Sequence, residues 1–160
     1  MSRSLSLALA RRMAMVLLLV LVAAPFGVAQ TQAPAPAKLT PVTVYKSPTC
    51  GCCAKWVEHM RANGFEVTVN ETPDVAPIKD KQGVPAELRS CHTALVGGYA
   101  IEGHVPADVI KKLLRERPNA VGLAVPGMPM GSPGMEGASK DSYNVMLFDK
   151  AGKATIYASR

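Results

Sequence analysis

The sequence predicts a mixed α/β domain, on three observations. "PVTVYKS" and "FEVTVNET" alternate apolar and polar positions and are rich in β-branched residues, the pattern of half-buried strands. Between them Cys53, Trp56, Val57 and Met60 recur at i, i+3, i+4 and i+7, one buried stripe of a helix. Three cysteines, Cys50, Cys52 and Cys53, stand where the first strand hands over to that helix.

The elements follow in order. Arg3, Arg11 and Arg12 precede an unbroken apolar run, Met13 to Val22, and Gly27 and Ala29 fit the −3 and −1 positions of a cut before Gln30. Residues 1–29 therefore read as a secretory signal peptide. An uncleaved anchor is the competing reading, but the run is short against the roughly 20 residues of a membrane span. No cysteine follows the cut, which argues against a lipid anchor. Residues 30–40, with "TQAPAPAK", read as a flexible Pro/Ala tether, and residues 41–160 as the folded domain.

After the first strand and the cysteine helix, Asn63-Gly64 is a stop signal. The second strand follows, then "DVAPIKDKQGVPAEL", a loop with one or two helical turns. "TALVGG" and "YAIEGHV" predict two strands joined at Gly97-Gly98. Pro106 at a first helical position opens "PADVIKKLLRERP", whose core face is Val109, Ile110, Leu113 and Leu114. This order, β-α-β-x-β-β-α with cysteines at the first strand–helix junction, matches a thioredoxin-like domain. "GLAVPGMPMGSPGMEGAS" then reads as a Met-rich Gly/Pro loop, and "YNVMLFD" with "ATIYAS" as a C-terminal hairpin.

Charge excludes one class of function. Three of the 18 Lys and Arg lie in the leader, so the rest carries 15 cations against 12 carboxylates, near +3 rather than +6. No cationic patch is interleaved with aromatics, so a nucleic-acid partner has no support. No phosphate-binding loop, nucleophile elbow or zinc-protease motif is present.

Export places the four cysteines in an oxidising compartment, where an even count suggests structural disulfides. The spacing argues otherwise, because three thiols crowd one turn and Cys91 stands some forty residues away. Cys50 and Cys53 have the C-x-x-C spacing of a thiol–disulfide catalyst, and a helix N-terminus favours the thiolate. Cys52 adds a thiol that a redox pair does not need but a metal can use. Cys91 and His92 precede the third strand and face the cysteine helix in this layout. Successive strand residues point to opposite sides, so one of the two, Cys91 by preference, is expected at the site. His104 lies before a helix start near the thiols and is a further candidate. His59 is about 10 Å of helix rise from Cys52 and reads as a surface residue.

Met60 and Met146 fit core positions. Met128, Met130 and Met135 sit in a loop without apolar periodicity, where thioethers serve either as soft ligands or as gap-fillers. Met128 and Met135 are the preferred ligands. Soft sulfur donors select Cu(I) among common metals. Zinc sites prefer two separated ligand pairs, whereas adjacent thiolates suit Cu(I) and allow a bridged cluster. The competing reading is a thiol–disulfide oxidoreductase with Cys50 as nucleophile and Cys53 as resolving thiol; a purely structural role for the thiols is the third.

"CGCCAKWVEHMRANGFEV", "GVPAELRSCHTALVGGYAIEGHVPADVIKKLL" and "VPGMPMGSPGME" together resemble the small periplasmic metal-binding proteins of the copper-resistance CopG type. These are distinct from the DNA-binding repressors sharing that label and are often described only as a domain of unknown function. The resemblance spans roughly residues 42–159. It implies a thioredoxin-like fold, a periplasmic location and copper handling, with Cys50, Cys52, Cys53 and Cys91 forming the copper site. His92, His104, Met128 and Met135 are the residues expected to complete it. Copper ions, and another periplasmic copper-handling protein, are the implied partners. Any enzymatic role would be that of an oxidoreductase.

Overall fold

The structure, a computed structural model, describes residues 40–160. The expected leader, and the tether through residue 39, lie outside the described residues. Among the described residues no helix is long and apolar enough to cross a membrane.

The chain runs β1 (Thr40–Lys46), α1 (Gly51–Ala62), β2 (Phe65–Glu71), α2 (Ala76–Lys81), a 3-10 turn (Ala86–Leu88), β3 (Thr93–Val96) and β4 (Tyr99–Glu102). It continues with α3 (Ala107–Glu116), β5 (Gly122–Ala124), β6 (Asn144–Phe148) and β7 (Ala154–Ser159). The seven strands among the described residues form one sheet, in the order β2-β1-β3-β4-β5-β6-β7. β1 with β2 and β4 with β5 are parallel, and the other neighbours are antiparallel.

Strand alternation sorts the side chains onto two faces. Val42, Val44, Ala94, Val96, Ile101 and Leu123 line the first, beneath Trp56 and Met60 of α1 and Val109, Ile110 and Leu113 of α3. The i, i+3, i+4, i+7 stripe of α1 is buried at every position. Burying one such side chain contributes roughly 1.5–3 kcal/mol. The second face is smaller: Ala100, Ala124 and Phe148 pack against Val84 and Leu88 from the segment after α2. α1 and α3 thus lie on one side of the sheet and the α2 region on the other.

Four expectations are corrected. The stretch read as uninterrupted loop begins with a strand, β5, which ties the C-terminal hairpin into the main sheet through β4 and β6. Only Gly fits at position 122, since a Cβ there would collide with the Ala100 carbonyl oxygen. "YAIEGHV" is a strand only to Glu102; Gly103, at φ +69°, turns the chain out of the sheet and delivers His104. Pro106 caps α3 from outside rather than opening it, and its side chain offers the helix no acceptor. The free N–H of Ala107 instead donates to Nε2 of His59, at 3.1 Å. His59 is therefore a half-buried inter-helix cap and not a surface residue. A capping bond between helices is invisible to any local sequence pattern.

Candidate metal centre

Four chain segments meet at one end of the sheet. The turn after β1 delivers Cys50, whose backbone is extended while its Sγ accepts from the Cys53 N–H at 3.3 Å, as a helix cap does. α1 supplies Cys52 and Cys53. The bend before β3 supplies Cys91 and His92, and the turn after β4 supplies His104. The loop between β5 and β6 closes over them.

Cys50 and Cys53 are joined in a disulfide, while Cys52 and Cys91 are free thiols. Cys52 Sγ lies 3.5 Å from Cys50 Sγ. The sulfurs of Cys50, Cys52, Cys53 and Cys91 all lie within 4.8 Å of one another. A second group, meeting the same limit, joins the Cys91 sulfur to ring nitrogens of His92 and His104. Cys91 Sγ is 3.0 Å from His104 Nε2 and 3.3 Å from His92 Nδ1. Cys91 is thus common to a sulfur set and a nitrogen set.

The tautomer of His104 follows from its partners. Its Nδ1 lies 2.7 Å from the Pro133 carbonyl oxygen, which can only accept, so Nδ1 carries the hydrogen. Nε2 is left with a lone pair aimed at the Cys91 sulfur, the outer-shell arrangement that prepares a ligating histidine. His92 is wholly buried, its ring 4.5 Å from Trp56 and 5.2 Å, edge-on, from His104. Its Nε2 is buried without a hydrogen-bond partner. The expectation that only one of Cys91 and His92 faces the site is corrected. β3 begins at Thr93, so the pair lies on a bend where strand alternation does not hold.

The cover is ordered by its own hydrogen bonds. Gly131 N–H donates to Met135 O, Met135 N–H to Ser132 O and Asp141 N–H to Met130 O, at 2.8–2.9 Å. Ser90 Oγ donates to Gly127 O at 2.5 Å, tying the start of the loop beside Cys91. Gly134 rests directly on the first turn of α1. Met135 is half-buried on this loop, and Met128 is 52% exposed one residue past Gly127. The six predicted Cys and His residues are brought together, with both methionines on the segment that covers them. The sequence reading missed Gly134 and Ser90, because close backbone approach and long-range bonds leave no local pattern.

Burial dominates the electrostatics. It pushes the Cys91 thiol up to about 11, reinforced by the neighbouring Cys52, so Cys91 holds its proton at neutral pH. Burial lowers His59 and His104, and drives His92 well below the ordinary imidazole value of 6.5, with His104, Lys79 and Lys46 adding repulsion. Since the fold keeps these imidazoles neutral, unfolding takes up protons below pH 6.5. Their contribution to stability is complete above that value and is lost as pH falls. The urea midpoint of the metal-free protein is expected to drop between pH 6.5 and 5.5, above the ordinary carboxylate range. His92, wholly buried and lowered the furthest of the three, is expected to carry most of that slope. A midpoint flat across that window would contradict a buried neutral His92.

Comparison with known proteins adds the following. A family model described as a protein of unknown function, DUF411, matches residues 88–135, the stretch from Cys91 to the covering loop. Two solved structures, described as copper resistance protein copG, form 1 and form 2, are each 45% identical over 77% of this chain. The match covers 98% and 99% of their chains, with TM-scores of 0.72 and 0.73. A search of curated protein sequences finds no significant match.

Proposed function

The chain belongs to the CopG family of copper-resistance proteins, and from that premise we propose that it is a periplasmic copper-binding protein that holds Cu(I) and serves copper resistance. The carrying observation is the convergence of four cysteine sulfurs within 4.8 Å. Thiolates are soft donors that prefer Cu(I), and sulfurs so close together can bridge more than one ion. His92 and His104 extend the donor set from the Cys91 side, with Met128 and Met135 at its cover. The leader supports export, and the strand–helix–strand unit bearing the thiols supports a thioredoxin-like frame.

With Cys50 and Cys53 bonded to each other, only two of the four sulfurs are free to bind. A dithiol reductant opens that bond by giving up two electrons and two protons and becoming a disulfide itself. The four thiols then exchange protons for Cu(I).

The test is anaerobic titration of the reduced protein with Cu(I). At least one copper per chain is expected, with affinity sharply reduced in a Cys52→Ser/Cys53→Ser variant. Uptake below one equivalent, or unchanged affinity in that variant, would sink the reading.

A second reading is favoured by the Cys50–Cys53 disulfide itself: a thiol–disulfide oxidoreductase with Cys50 as nucleophile. A groove lined by Lys46, Pro48, Thr49, Cys50, Glu58 and Arg61 opens beside Cys50. This reading predicts turnover of a disulfide substrate that is indifferent to Cys52→Ser.

A further inference from the structure

A carboxylate and an ammonium lie buried behind the site, and the thiol chemistry uses neither. Glu102 is 0% exposed and Lys79 5%. Lys79 Nζ donates to Glu102 Oε1 at 2.5 Å and to Thr93 Oγ1 at 3.2 Å. The same Oε1 accepts from the Ser90 N–H at 2.6 Å, and Oε2 from the Thr93 hydroxyl at 2.6 Å. All three partners point donors inward, an arrangement that suits a carboxylate's acceptor-only oxygens.

The positions matter more than the number of bonds. Ser90 immediately precedes Cys91, and Thr93 immediately follows His92. One carboxylate therefore grips the chain on both sides of the Cys91–His92 pair. Between the grips, His92 O accepts at 2.9 Å from the N–H of Gly103, the residue immediately before His104. Thr93 and Glu102 are cross-strand partners, and both face the α2 side of the sheet. His92 faces the α1 side, against Trp56. Glu102 consequently touches neither donor side chain and acts through the backbone. The grip falls where the sheet gives no help, because Cys91 and His92 precede the β3 ladder.

Energetics point the same way. A buried ion pair is poor evidence for stability, since apolar residues of similar volume often do as well or better. What a carboxylate supplies here and an apolar side chain cannot is three directed acceptor contacts. We propose that Glu102 is the positioning residue of the Cys91–His92 pair, holding Cys91 Sγ beside the other thiols and His104 before a metal arrives. This rests on the copper reading above.

The test compares Cu(I) affinity of the reduced protein, by competition with bicinchoninate, in a Lys79→Met/Glu102→Leu variant. That variant removes the grip without stranding a charge. A loss of about tenfold or more is expected, the range of outer-shell substitutions at metal sites. The same pair placed on a Cys91→Ser background is expected to cost less than about twofold, since the thiol it places is gone and His92 joins the other sulfurs only through Cys91. A general loosening of the fold would instead cost the same on both backgrounds, and that result overturns the proposal. Full affinity in a folded Lys79→Met/Glu102→Leu variant overturns it too. Should that variant not fold, Glu102→Gln decides: a loss of about threefold that disappears with Cys91→Ser supports the role, and no loss overturns it. Failure of the unsubstituted protein to take up Cu(I) overturns the copper reading itself, which separates the two failures.

Discussion

Serine in place of Cys91 is expected to lower Cu(I) affinity of the reduced protein by about a hundredfold or more, beyond what outer-shell changes achieve. Cys91 is the one residue shared by the sulfur group and the nitrogen group. Its loss removes the fourth thiolate and disconnects both imidazoles from the other three sulfurs. A serine oxygen is a hard donor and does not replace thiolate toward Cu(I). The substitution changes little volume, so the fold is expected to persist and the effect to be local.

A second readout belongs to the same variant. With its thiol pushed up to about 11, Cys91 is protonated at neutral pH, and a metal must displace that proton. Between pH 6 and 8 the logarithm of the apparent affinity is expected to rise with pH, and the slope to fall by about one proton in Cys91→Ser. A loss below about tenfold, with an unchanged slope, would remove Cys91 from the donor set.

Gly134→Ala is expected to cost stability heavily, about 2–4 kcal/mol. A Cβ there would lie 2.5 Å from the Cys52 carbonyl oxygen and 2.9 Å from the Trp56 nitrogen. These are backbone atoms of the first two turns of α1, partners in its i to i−4 ladder, and cannot step aside. The φ of +87° adds strain of about 1–2 kcal/mol for any residue with a Cβ, and the overpacking about 1–3 kcal/mol. The covering loop would lift, and the His104 bond to the Pro133 carbonyl would go with it. Gly152→Ala is the control. It has a comparable φ of +81° but open space around the added carbon, so only the strain is expected there. Urea denaturation of the metal-free proteins measures both. Equal losses at the two positions would show that Gly134 is not a contact point.

Several elements were legible because their determinants are local. The stripe Cys53, Trp56, Val57, Met60 fixed α1 and its buried face, and alternation in "PVTVYKS" and "FEVTVNET" fixed the paired strands β1 and β2. β5 was not legible. Three residues are too few to show a period, and their strand character comes from lying between β4 and β6. His59 was misread because the bond that defines it reaches a helix 48 residues away.

The site divides along the same line. By itself the sequence determined the chemistry: which side chains are soft donors, that three of them share one helix start, and that Cys91, His92 and His104 lie in the second half of the chain. Only the tertiary structure decided that Cys91 joins the two donor groups, that His104 is held in one tautomer by Pro133, and that Glu102 and Gly134 fix the surrounding backbone. The physical reason is one of range. Donor softness and helix periodicity are properties of residues and their near neighbours along the chain. A carbonyl facing a ring nitrogen 29 residues away, or a carboxylate gripping a bend from the neighbouring strand, exists only once the sheet has brought them together.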